Sequence, residues 1–281
     1  MKNLHQQVTE QILSNIDAAG EWKPCWIGAS GMPRNAVTKR SYSGVNVLVL
    51  WAAAATRGYA TSQWATYKQW AEAGAQVRKG ECSTVGVFYK TVAREEDGDA
   101  YRLARSFNLF NASQVENWDG LPDPVPQLPA SERLPWLDQM IADTGACVRT
   151  KGHQPCYVPA LDEIWMPAFA DFQDVEGFYA TSFHELAHWT GGKPRLDREL
   201  STKFKTNAYA MEELVAELAA SFVMAELGMT SRLKTEAAAY VRHWRDAMQA
   251  DNTAIFTAAS AAAKAADFIL NAHKQQQQEA A

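Results

Sequence analysis

The sequence contains few cysteines, and their spacing does not pair them. Cys25, Cys82, Cys147 and Cys156 are scattered over 281 residues without a CxxC motif. This pattern excludes the dense disulfide framework of small secreted domains. We interpret the four residues as reduced thiols, most of them in the core. The one disulfide that we consider is a bridge between Cys147 and Cys156.

The sequence also lacks an apolar run long enough to cross a bilayer. Its longest run, from Val45 to Ala55, covers only about half of the ~20 residues that a membrane-spanning helix needs. Residues 1–15 have the pattern of a polar amphipathic helix. They lack the basic start, apolar middle and small-residue cleavage site of a secretion signal. We therefore expect a cytoplasmic protein that has no membrane partner.

Acidic residues are scarce at the beginning of the chain. Residues 1–92 contain ten Lys or Arg and five Asp or Glu, whereas the whole chain has a net charge of −5, so the remainder carries −10. Such an asymmetry indicates that the two halves have different partners. Hydrophobic residues make up 47% of the chain and charged residues 21%, as in folded globular proteins, and the length suffices for two domains.

Prolines are concentrated in one segment. Residues 119–135 hold five of the eleven prolines, and proline favours extended and turn conformations over helix or strand. We interpret this segment as a linker between a first domain, residues 1–118, and a second, residues 136–274. The tail, residues 275–281, is expected to be disordered.

Hydrophobic periodicity predicts an α+β fold. In the first domain we expect strands at Tyr42–Trp51, Cys82–Val92 and Tyr101–Phe110 and a helix at Ser62–Ala73. The second domain is predicted to be mainly helical, with a small sheet. Its predicted elements are a strand hairpin at 157–166 and helices at 136–144, 176–190, 209–227, 230–249 and 253–274. The helix at 176–190 is expected to end where Gly191 or Gly192 adopts a left-handed conformation.

The most informative motif is HELAH at residues 184–188. On a helix, His184 and His188 share one face, and both imidazoles can reach a single ion at ~2.0–2.1 Å. Glu185 is turned away by about one third of a turn. From there it can accept a proton from a water that attacks a metal-polarised carbonyl. The motif predicts a catalytic zinc site with Glu185 as the general base.

A catalytic zinc site needs a third protein ligand. A histidine six residues after His188 would complete the long metzincin motif, but Pro194 occupies that position. The predicted helix MEELVAELAASF offers carboxylates instead. We predict Glu213 as the ligand and Glu217 as the residue that holds a ligand histidine through its other ring nitrogen, and Glu212 is an alternative ligand. Manganese, cobalt or nickel could replace zinc at such a site.

Peptide hydrolysis also needs a hydrogen-bond donor for the oxyanion. Tyr209 and Tyr179 are the candidates that the sequence offers, although a packed aromatic residue is the more common role for a tyrosine.

The stretch from Trp22 to Lys79 interleaves basic and aromatic residues. Cations follow the phosphates of single-stranded nucleic acid, while aromatic faces stack on its bases without reading sequence. Non-specific binding of single strands is therefore one hypothesis for the first domain. The alternative is that the aromatic residues belong to the core.

Two sets of motifs resemble a known family. The motifs PCW, PRN, YSGVN, GYATSQWATYKQW, GAQVRKGE and FNLFNASQVE resemble the N-terminal domain of ArdC antirestriction proteins, which also occurs in TraC-type plasmid primases. The motifs YVPALDEIWMP, FYATSFHELAHWTGG, RLDR and ELVAELAASF resemble the metalloprotease-like domain that follows it. The resemblance covers most of residues 10–228.

The resemblance implies a protein of conjugative plasmids with a single-stranded DNA-binding domain in front of a gluzincin-like domain. It would protect incoming DNA from restriction in the recipient cell, and it supports the metal ligands His184, His188 and Glu213. TraC primase activity is not expected. Candidate DNA contacts in the first domain are Trp22, Trp26, Arg34, Asn35, Arg40, Tyr42, Asn46, Arg57, Tyr59, Trp64, Lys68 and Lys79.

Two hypotheses remain for the function. In the first, the chain is a DNA-binding metalloprotease that cleaves a DNA-bound or restriction-related protein. In the second, it shields DNA by binding it, and the metal has a structural or regulatory role.

Overall fold

The computed structural model of the chain describes residues 4–18, 26, 31–93, 100–120, 132–198, 200, 207–229 and 241–279. The chain forms two compact units. The first comprises Met1–Cys25 and Met32–Pro124, and the second comprises Trp26–Gly31 and Val125–Ala281. The division falls within the proline-rich segment, of which residues 121–131 lie outside the described part. Both units combine helices with strands, which confirms the α+β class.

The first unit contains a four-stranded sheet, a two-stranded sheet and three helices in its described part. The sheets have the strand orders β1-β2-β5-β4 and β3-β6, and all pairs except β1-β2 are antiparallel. In chain order the elements are α1 (Leu4–Ala18), β1 (Arg34–Asn35), α2 (Val45–Arg57), β2 (Gln63–Ala65), α3 (Tyr67–Glu72), β3 (Gln76–Val77), β4 (Thr84–Ala93), β5 (Ala100–Asn111) and β6 (Val115–Glu116). The two long predicted strands correspond to β4 and β5.

The prediction of a strand at Tyr42–Trp51 is wrong, because Val45–Arg57 forms helix α2. Its residues from Val47 to Ala53 are all buried. A continuous apolar run of this kind has neither the period of a strand nor that of a surface helix, so periodicity could not distinguish the two.

The helix predicted at Ser62–Ala73 is correct only in its second half. Residues Gln63–Ala65 form strand β2, which lies between β1 and β5. The Thr66 side chain then accepts a hydrogen bond from the Gln69 N–H and caps α3. The cap fixes the start of the helix at Tyr67.

The second unit is mainly helical, with one three-stranded sheet of order β7-β9-β8. Its described elements are α4 (Pro135–Asp143), β7 (Cys147–Thr150), β8 (Cys156–Val158), β9 (Glu163–Met166), α5 (Val175–Thr190), α6 (Asn207–Glu226), α7 (Val241–Ala250) and α8 (Ala254–Glu279). Strand β9 separates the two strands that carry Cys147 and Cys156, and neither these cysteines nor Cys82 form a disulfide. The prediction that most cysteines lie in the core is wrong for these three, because Cys82 and Cys147 are exposed and Cys156 is half-buried. The fourth, Cys25, lies outside the described residues.

Helix α8 packs against α6, α5 and α4. Its buried face is rich in alanine, which allows neighbouring helices to approach closely; it comprises Ile255, Ala258, Ala259, Ala262, Ala265, Ala266 and Ile269. The disordered tail predicted from Gln275 is wrong as far as Glu279, because α8 continues to that residue. Glutamine and glutamate are good helix formers, and no Gly or Pro interrupts the run. Of the helix predicted at 230–249, only the part from Val241 is described, and it is helical.

The described part of the chain has no single helix that is long and apolar enough to cross a membrane. One strongly bent pair, His243–Ala250 with Ala254–Gln276, reaches that threshold by length and composition.

Candidate metal centre

Helix α5 places His184 and His188 on one face. The helix starts at Asp174, whose carboxylate accepts the Gly177 N–H at 2.7 Å. Most of its later residues are buried, His184 and Glu185 among them. The HExxH motif therefore lies on a fully formed helix in the interior of the second unit, packed against α6.

Three side chains from α5 and α6 converge on one point. The Nε2 atoms of His184 and His188 are 3.2 Å apart, and Glu213 has carboxylate oxygens 3.4 Å from His184 Nε2 and 3.6 Å from His188 Nε2. Ligand atoms in a tetrahedral site with bonds of ~2.0–2.1 Å are separated by about 3.3–3.4 Å. The three residues thus have the spacing and the donor atoms of a divalent-metal site. They form the one such group found among the described residues.

The other ring nitrogen of each histidine meets a carboxylate. His184 Nδ1 lies 3.1 Å from Glu217 Oε2, and His188 Nδ1 lies 3.3 Å from Glu212 Oε1. A histidine that donates its Nδ1 proton in this way keeps the Nε2 lone pair free for a metal. The structure thus places Glu217 as predicted. Glu212, the alternative ligand, instead contacts His188 Nδ1, the ring nitrogen that faces away from Glu213 and His184.

Arg198 holds Glu212 in this position. Its guanidinium donates to both Glu212 oxygens at 2.7 and 3.1 Å, to Thr190 Oγ1 at 2.9 Å and to the Ala187 carbonyl at 2.7 Å. Burial raises the pKa of the Glu212 carboxyl, but hydrogen bonds from His188 and Arg198 outweigh that effect and bring the pKa below its usual value.

The glycine pair after α5 makes room for these arginines. The left-handed conformation predicted there is wrong, since Gly191 has φ −74° and neither glycine has a positive φ. A Cβ atom at Gly191 would lie 2.9 Å from Arg198 Nη2 and 3.0 Å from the His188 carbonyl, and one at Gly192 would collide with Arg195. Glycine here leaves space for the two arginine side chains, and backbone handedness plays no part.

Replacing Arg198 by alanine is expected to weaken metal binding by about 10-fold, the lower end of the effect of losing an outer partner of a ligand histidine, because Arg198 acts on His188 only through Glu212. It should also destabilise the protein by about 3–5 kcal/mol, because Glu212 would keep a buried charge without its partner. Calorimetric titration with a divalent metal and thermal unfolding measure the two effects.

The matched control is Arg149→Ala. Arg149 pairs with Glu163 at 2.6 Å in the same unit, but its side chain is 59% exposed. Its loss should cost no more than about 1 kcal/mol and leave metal affinity unchanged. Equal metal affinity of Arg198→Ala and wild type would contradict the assigned role.

Glu213 is ionised over the whole physiological pH range. Burial raises its pKa, but the hydrogen bond from His184, the charges of both histidines and a hydrogen bond from Tyr209 lower the pKa to about 2. No proton therefore has to leave this carboxylate before a metal binds. Tyr209, one of the two tyrosines considered for the oxyanion, therefore hydrogen-bonds to Glu213, the predicted carboxylate ligand.

Tyr179, the other tyrosine considered for the oxyanion, lies elsewhere. Its hydroxyl accepts the Leu134 N–H at 2.8 Å and lies 2.9 Å from the Asp138 carboxylate, at the start of α4. Burial raises the pKa of Tyr179 to about 12. The prediction of an oxyanion role for Tyr179 is wrong, because its hydroxyl binds the N-terminus of α4.

Glu185 is held by the edge strand of the small sheet. Its Oε2 accepts the backbone N–H of Tyr157 in β8 at 2.9 Å. The β8–β9 hairpin is in turn tied to the end of α5. There Arg195 donates to both Asp162 oxygens at 2.6 and 3.0 Å and to the Trp189 carbonyl at 2.6 Å. The Tyr157 hydroxyl donates to Asp162 at 2.8 Å.

Sequence reasoning did not identify the roles of Arg195, Arg198, Asp162 and Tyr157. The two arginines frame the motif RLDR, which carried part of the family resemblance, so a signal was present. Asp162 has a φ of 51° in the hairpin turn. Its pairing with a residue 33 positions away has no sequence signature.

Two of the predicted DNA contacts are buried. Trp26 and Trp64 have 0% exposure, and a fully buried indole cannot stack on a base. These predictions are wrong, because both side chains serve as core. Trp26 packs against Trp244 in the second unit, and Trp64 belongs to a cluster with Leu50 and Leu109 in the first. Trp22 lies outside the described residues.

Several other predicted contacts hold the first unit together. Asn46 exchanges hydrogen bonds with the Val87 backbone, and Arg57 donates to the Cys82 carbonyl. Asn35 caps a turn and donates to Tyr42. Of the remaining candidates, Arg40, Lys68 and Lys79 are exposed, whereas Arg34 and Tyr59 are half-buried.

Family models match both parts of the chain. Residues 2–117 match the N-terminal domain of the anti-restriction factor ArdC, and residues 135–261 match a zincin-like metallopeptidase domain. The second unit is thus a zincin-like metal-binding domain.

Similar proteins span the same two parts. An uncharacterized Sinorhizobium fredii protein, y4eC, is 39% identical over 98% of this chain and 92% of its own length. Two Escherichia coli DNA primases TraC are 35% and 32% identical over 99% of this chain, which spans only 28% and 20% of their lengths.

Two crystal structures of the antirestriction protein ArdC from plasmid R388 are similar. The metal-free form is 37% identical, with a TM-score of 0.84 over 98% of this chain and 99% of that chain. The Mn(II)-bound form is 38% identical, with a TM-score of 0.83 over 97% and 98%.

Proposed function

The chain belongs to the ArdC family of antirestriction proteins, and we propose that it protects incoming plasmid DNA from host restriction by binding single strands and carrying a peptide-hydrolysing metal site. It would act in the cytoplasm of the conjugation recipient. The protein substrate would be a restriction-related or DNA-bound protein.

The proposal of peptide hydrolysis rests on the convergence of His184, His188 and Glu213. A carboxylate also contacts the Nδ1 atom of each histidine. A purely structural zinc site would be closed by four protein ligands. The three ligands found among the described residues leave one position of a tetrahedral site for substrate or water. We propose zinc as the metal, with manganese, cobalt or nickel as substitutes, and the Mn(II)-bound relative supports a divalent ion.

A metal held there would polarise a peptide carbonyl and bring the pKa of a bound water towards ~7. Residues of the chain transfer the proton and orient the ligands. Glu185, held by the Tyr157 N–H, accepts the proton of the attacking water and passes it to the leaving amine. Glu217 and Glu212 keep both imidazoles oriented. Tyr209 lies by Glu213 and can donate to the oxyanion.

The DNA-binding part rests on the first unit. The family match spans residues 2–117, residues 1–92 contain ten Lys or Arg against five Asp or Glu, and exposed cations and aromatic rings occur on the surface of the unit. Single strands are bound by this combination without regard to sequence, and the affinity falls as salt rises.

The test is a conjugation assay. The chain is expressed in a recipient that has an active restriction enzyme, and transfer of an unmodified plasmid is compared with transfer into a restriction-deficient recipient. Wild type is expected to raise transfer only in the restricting recipient. Equal transfer with and without the chain would contradict the antirestriction function.

The Glu185→Gln variant in the same assay separates the two mechanisms. Loss of protection would indicate that hydrolysis is the means of protection. Retained protection would instead favour a DNA-shielding protein whose metal site has a structural or regulatory role.

A further inference from the structure

We propose that single-stranded DNA binds to one defined surface of the first unit, with the Tyr67 ring stacked on a base. This Tyr67 surface consists of Tyr67, Lys68, Lys39, Arg40 and Trp118. The inference rests on the proposed single-strand binding and specifies where the strand lies.

Tyr67 is a preformed stacking platform. It is 52% exposed, more than any other aromatic residue in the described part of the chain. Its ring packs edge-on against Phe110 with centroids 6.3 Å apart, and its hydroxyl accepts a hydrogen bond from Gln76 at 3.0 Å. An exposed ring that is held at its edge and at its hydroxyl can stack on a base with little loss of side-chain entropy.

A second, partly exposed aromatic ring, Trp118, packs against the same buried layer as Tyr67. Trp118 is half-buried, with Lys39 Nζ 5.5 Å from its ring centroid. It packs edge-on against the buried Trp70 at 5.0 Å, and Trp70 donates to the Phe110 carbonyl at 3.0 Å. Trp118 and Tyr67 are therefore linked through Trp70 and Phe110 as parts of one packed layer.

Hydrogen bonds hold the loop that carries the cations. The Asn35 carboxamide oxygen accepts the N–H groups of residues 37 and 38 at 3.1 and 2.9 Å, and the Asn35 N–H donates to the Arg40 carbonyl at 2.8 Å. The Asn35 amide also donates to Gln69 in α3 at 3.1 Å, which ties the loop to the helix that carries Tyr67. These bonds orient a loop whose residues 37–41 are all exposed.

Lys39 adopts a backbone conformation that lysine normally avoids. Its φ is 62°, a left-handed value that costs a side-chain-bearing residue free energy and persists only where the surroundings impose it. The conformation presents Lys39 and Arg40 next to each other on the surface. The Lys39 N–H donates to the Asn35 carbonyl at 2.8 Å, and this bond helps to hold the conformation.

Three exposed cations of this surface can contact a phosphate backbone. Lys39, Arg40 and Lys68 are exposed, and the one ion pair found for Lys68, with Glu72 at 3.6 Å, is itself exposed and therefore weak. The exposed carboxylates Glu116 and Asp119 lie on either side of Trp118 in sequence. The positive charge thus comes from the 35–41 loop and from α3.

A competing surface exists on the β4–β5 hairpin. Phe88 and Tyr89 are 46% and 39% exposed, and Arg105 lies opposite Phe88. Both rings are held by contacts like those of Tyr67, Tyr89 to His5 and Phe88 to Phe107, but both are less exposed than Tyr67, and on this ground we prefer the Tyr67 surface. This hairpin supplies the matched control.

The test uses the full chain and a fluorescein-labelled oligo(dT) of about 20 nucleotides, long enough to cover a typical single-strand site. Fluorescence polarisation should show that Tyr67→Ala binds about tenfold more weakly than wild type, whereas Tyr67→Phe, which keeps the ring, binds within about twofold. Phe88→Ala should bind as wild type does. An abasic oligonucleotide of equal length should not distinguish Tyr67→Ala from wild type, because it offers no base to stack.

The possible failures are distinguishable. If wild type binds oligo(dT) and Tyr67→Ala binds equally well, the Tyr67 surface is wrong while single-strand binding stands, and a loss in Phe88→Ala would place the strand on the hairpin. If wild type shows no salt-dependent binding, the proposed function itself fails. Circular dichroism of each variant checks that an affinity loss is not a loss of fold.

Discussion

The Glu185→Gln variant should hydrolyse peptide bonds about 10²–10⁴-fold more slowly than wild type, the usual contribution of a general base. Glutamine keeps the size of the side chain, and its carbonyl oxygen can still accept the Tyr157 N–H that holds Glu185. It cannot accept a proton from water. Divalent-metal affinity should remain unchanged, since Glu185 is not one of the three converging ligands. Turnover of fluorescently labelled casein and calorimetric metal titration measure the two quantities.

The control for this variant is Glu176→Gln, the same substitution in the first turn of the same helix. It lies nine residues before Glu185, about 13 Å along the helix axis. Its turnover should equal that of wild type. If Glu185→Gln is as active as wild type, Glu185 is not the base; if no variant has activity, the hydrolysis proposal fails for this substrate.

The Glu213→Gln variant should lose most divalent-metal affinity, by more than about 100-fold, because a ligand contributes more than the 10–100-fold typical of its outer partners. A neutral amide is a poorer ligand than the carboxylate that the structure places 3.4 and 3.6 Å from the two Nε2 atoms. Metal added to wild type at 100 times its dissociation constant should stabilise the fold by about 2.7 kcal/mol. The variant should show little of this shift in melting temperature.

Two further variants make the assignment of the ligand decisive. Glu226→Gln, at the end of the same helix, should bind metal as wild type does. Glu212→Gln should lose only about 10–100-fold, because Glu212 acts through His188. A larger loss in Glu212→Gln than in Glu213→Gln would reverse the two roles and make Glu212 the ligand.

The helical parts of the second unit were well predicted from sequence because their signals are local. The spacing of His184 and His188 defines a helix face, and Glu213 and Glu217 have the same i, i+4 relation on α6. Helix α5 and the 157–166 hairpin were predicted close to their observed bounds, since alternation and periodicity are clear there. The structure then brings together the three residues that were predicted as ligands.

The first unit was predicted less well because its signals are ambiguous. The apolar run of α2 is buried on nearly all sides, so it carries no period. Tryptophan and arginine interleave in sequence, but burial separates them: Trp64 is core, and Arg57 binds a carbonyl of the neighbouring strand. Composition predicted that the first unit carries basic and aromatic residues. It did not predict which of them are exposed.

The sequence by itself determined the histidine pair of the candidate metal centre and the helices that present its ligands, because a ligand pair four residues apart depends only on helix geometry. Tertiary structure alone decided which carboxylate supports which histidine. It also decided that Arg198 holds Glu212, that Tyr157 holds Glu185, and that Tyr67 rather than Trp64 faces solvent. These relations join residues 14 to 33 positions apart, or depend on burial. They follow from the packing of helices and strands against one another, which no local pattern encodes.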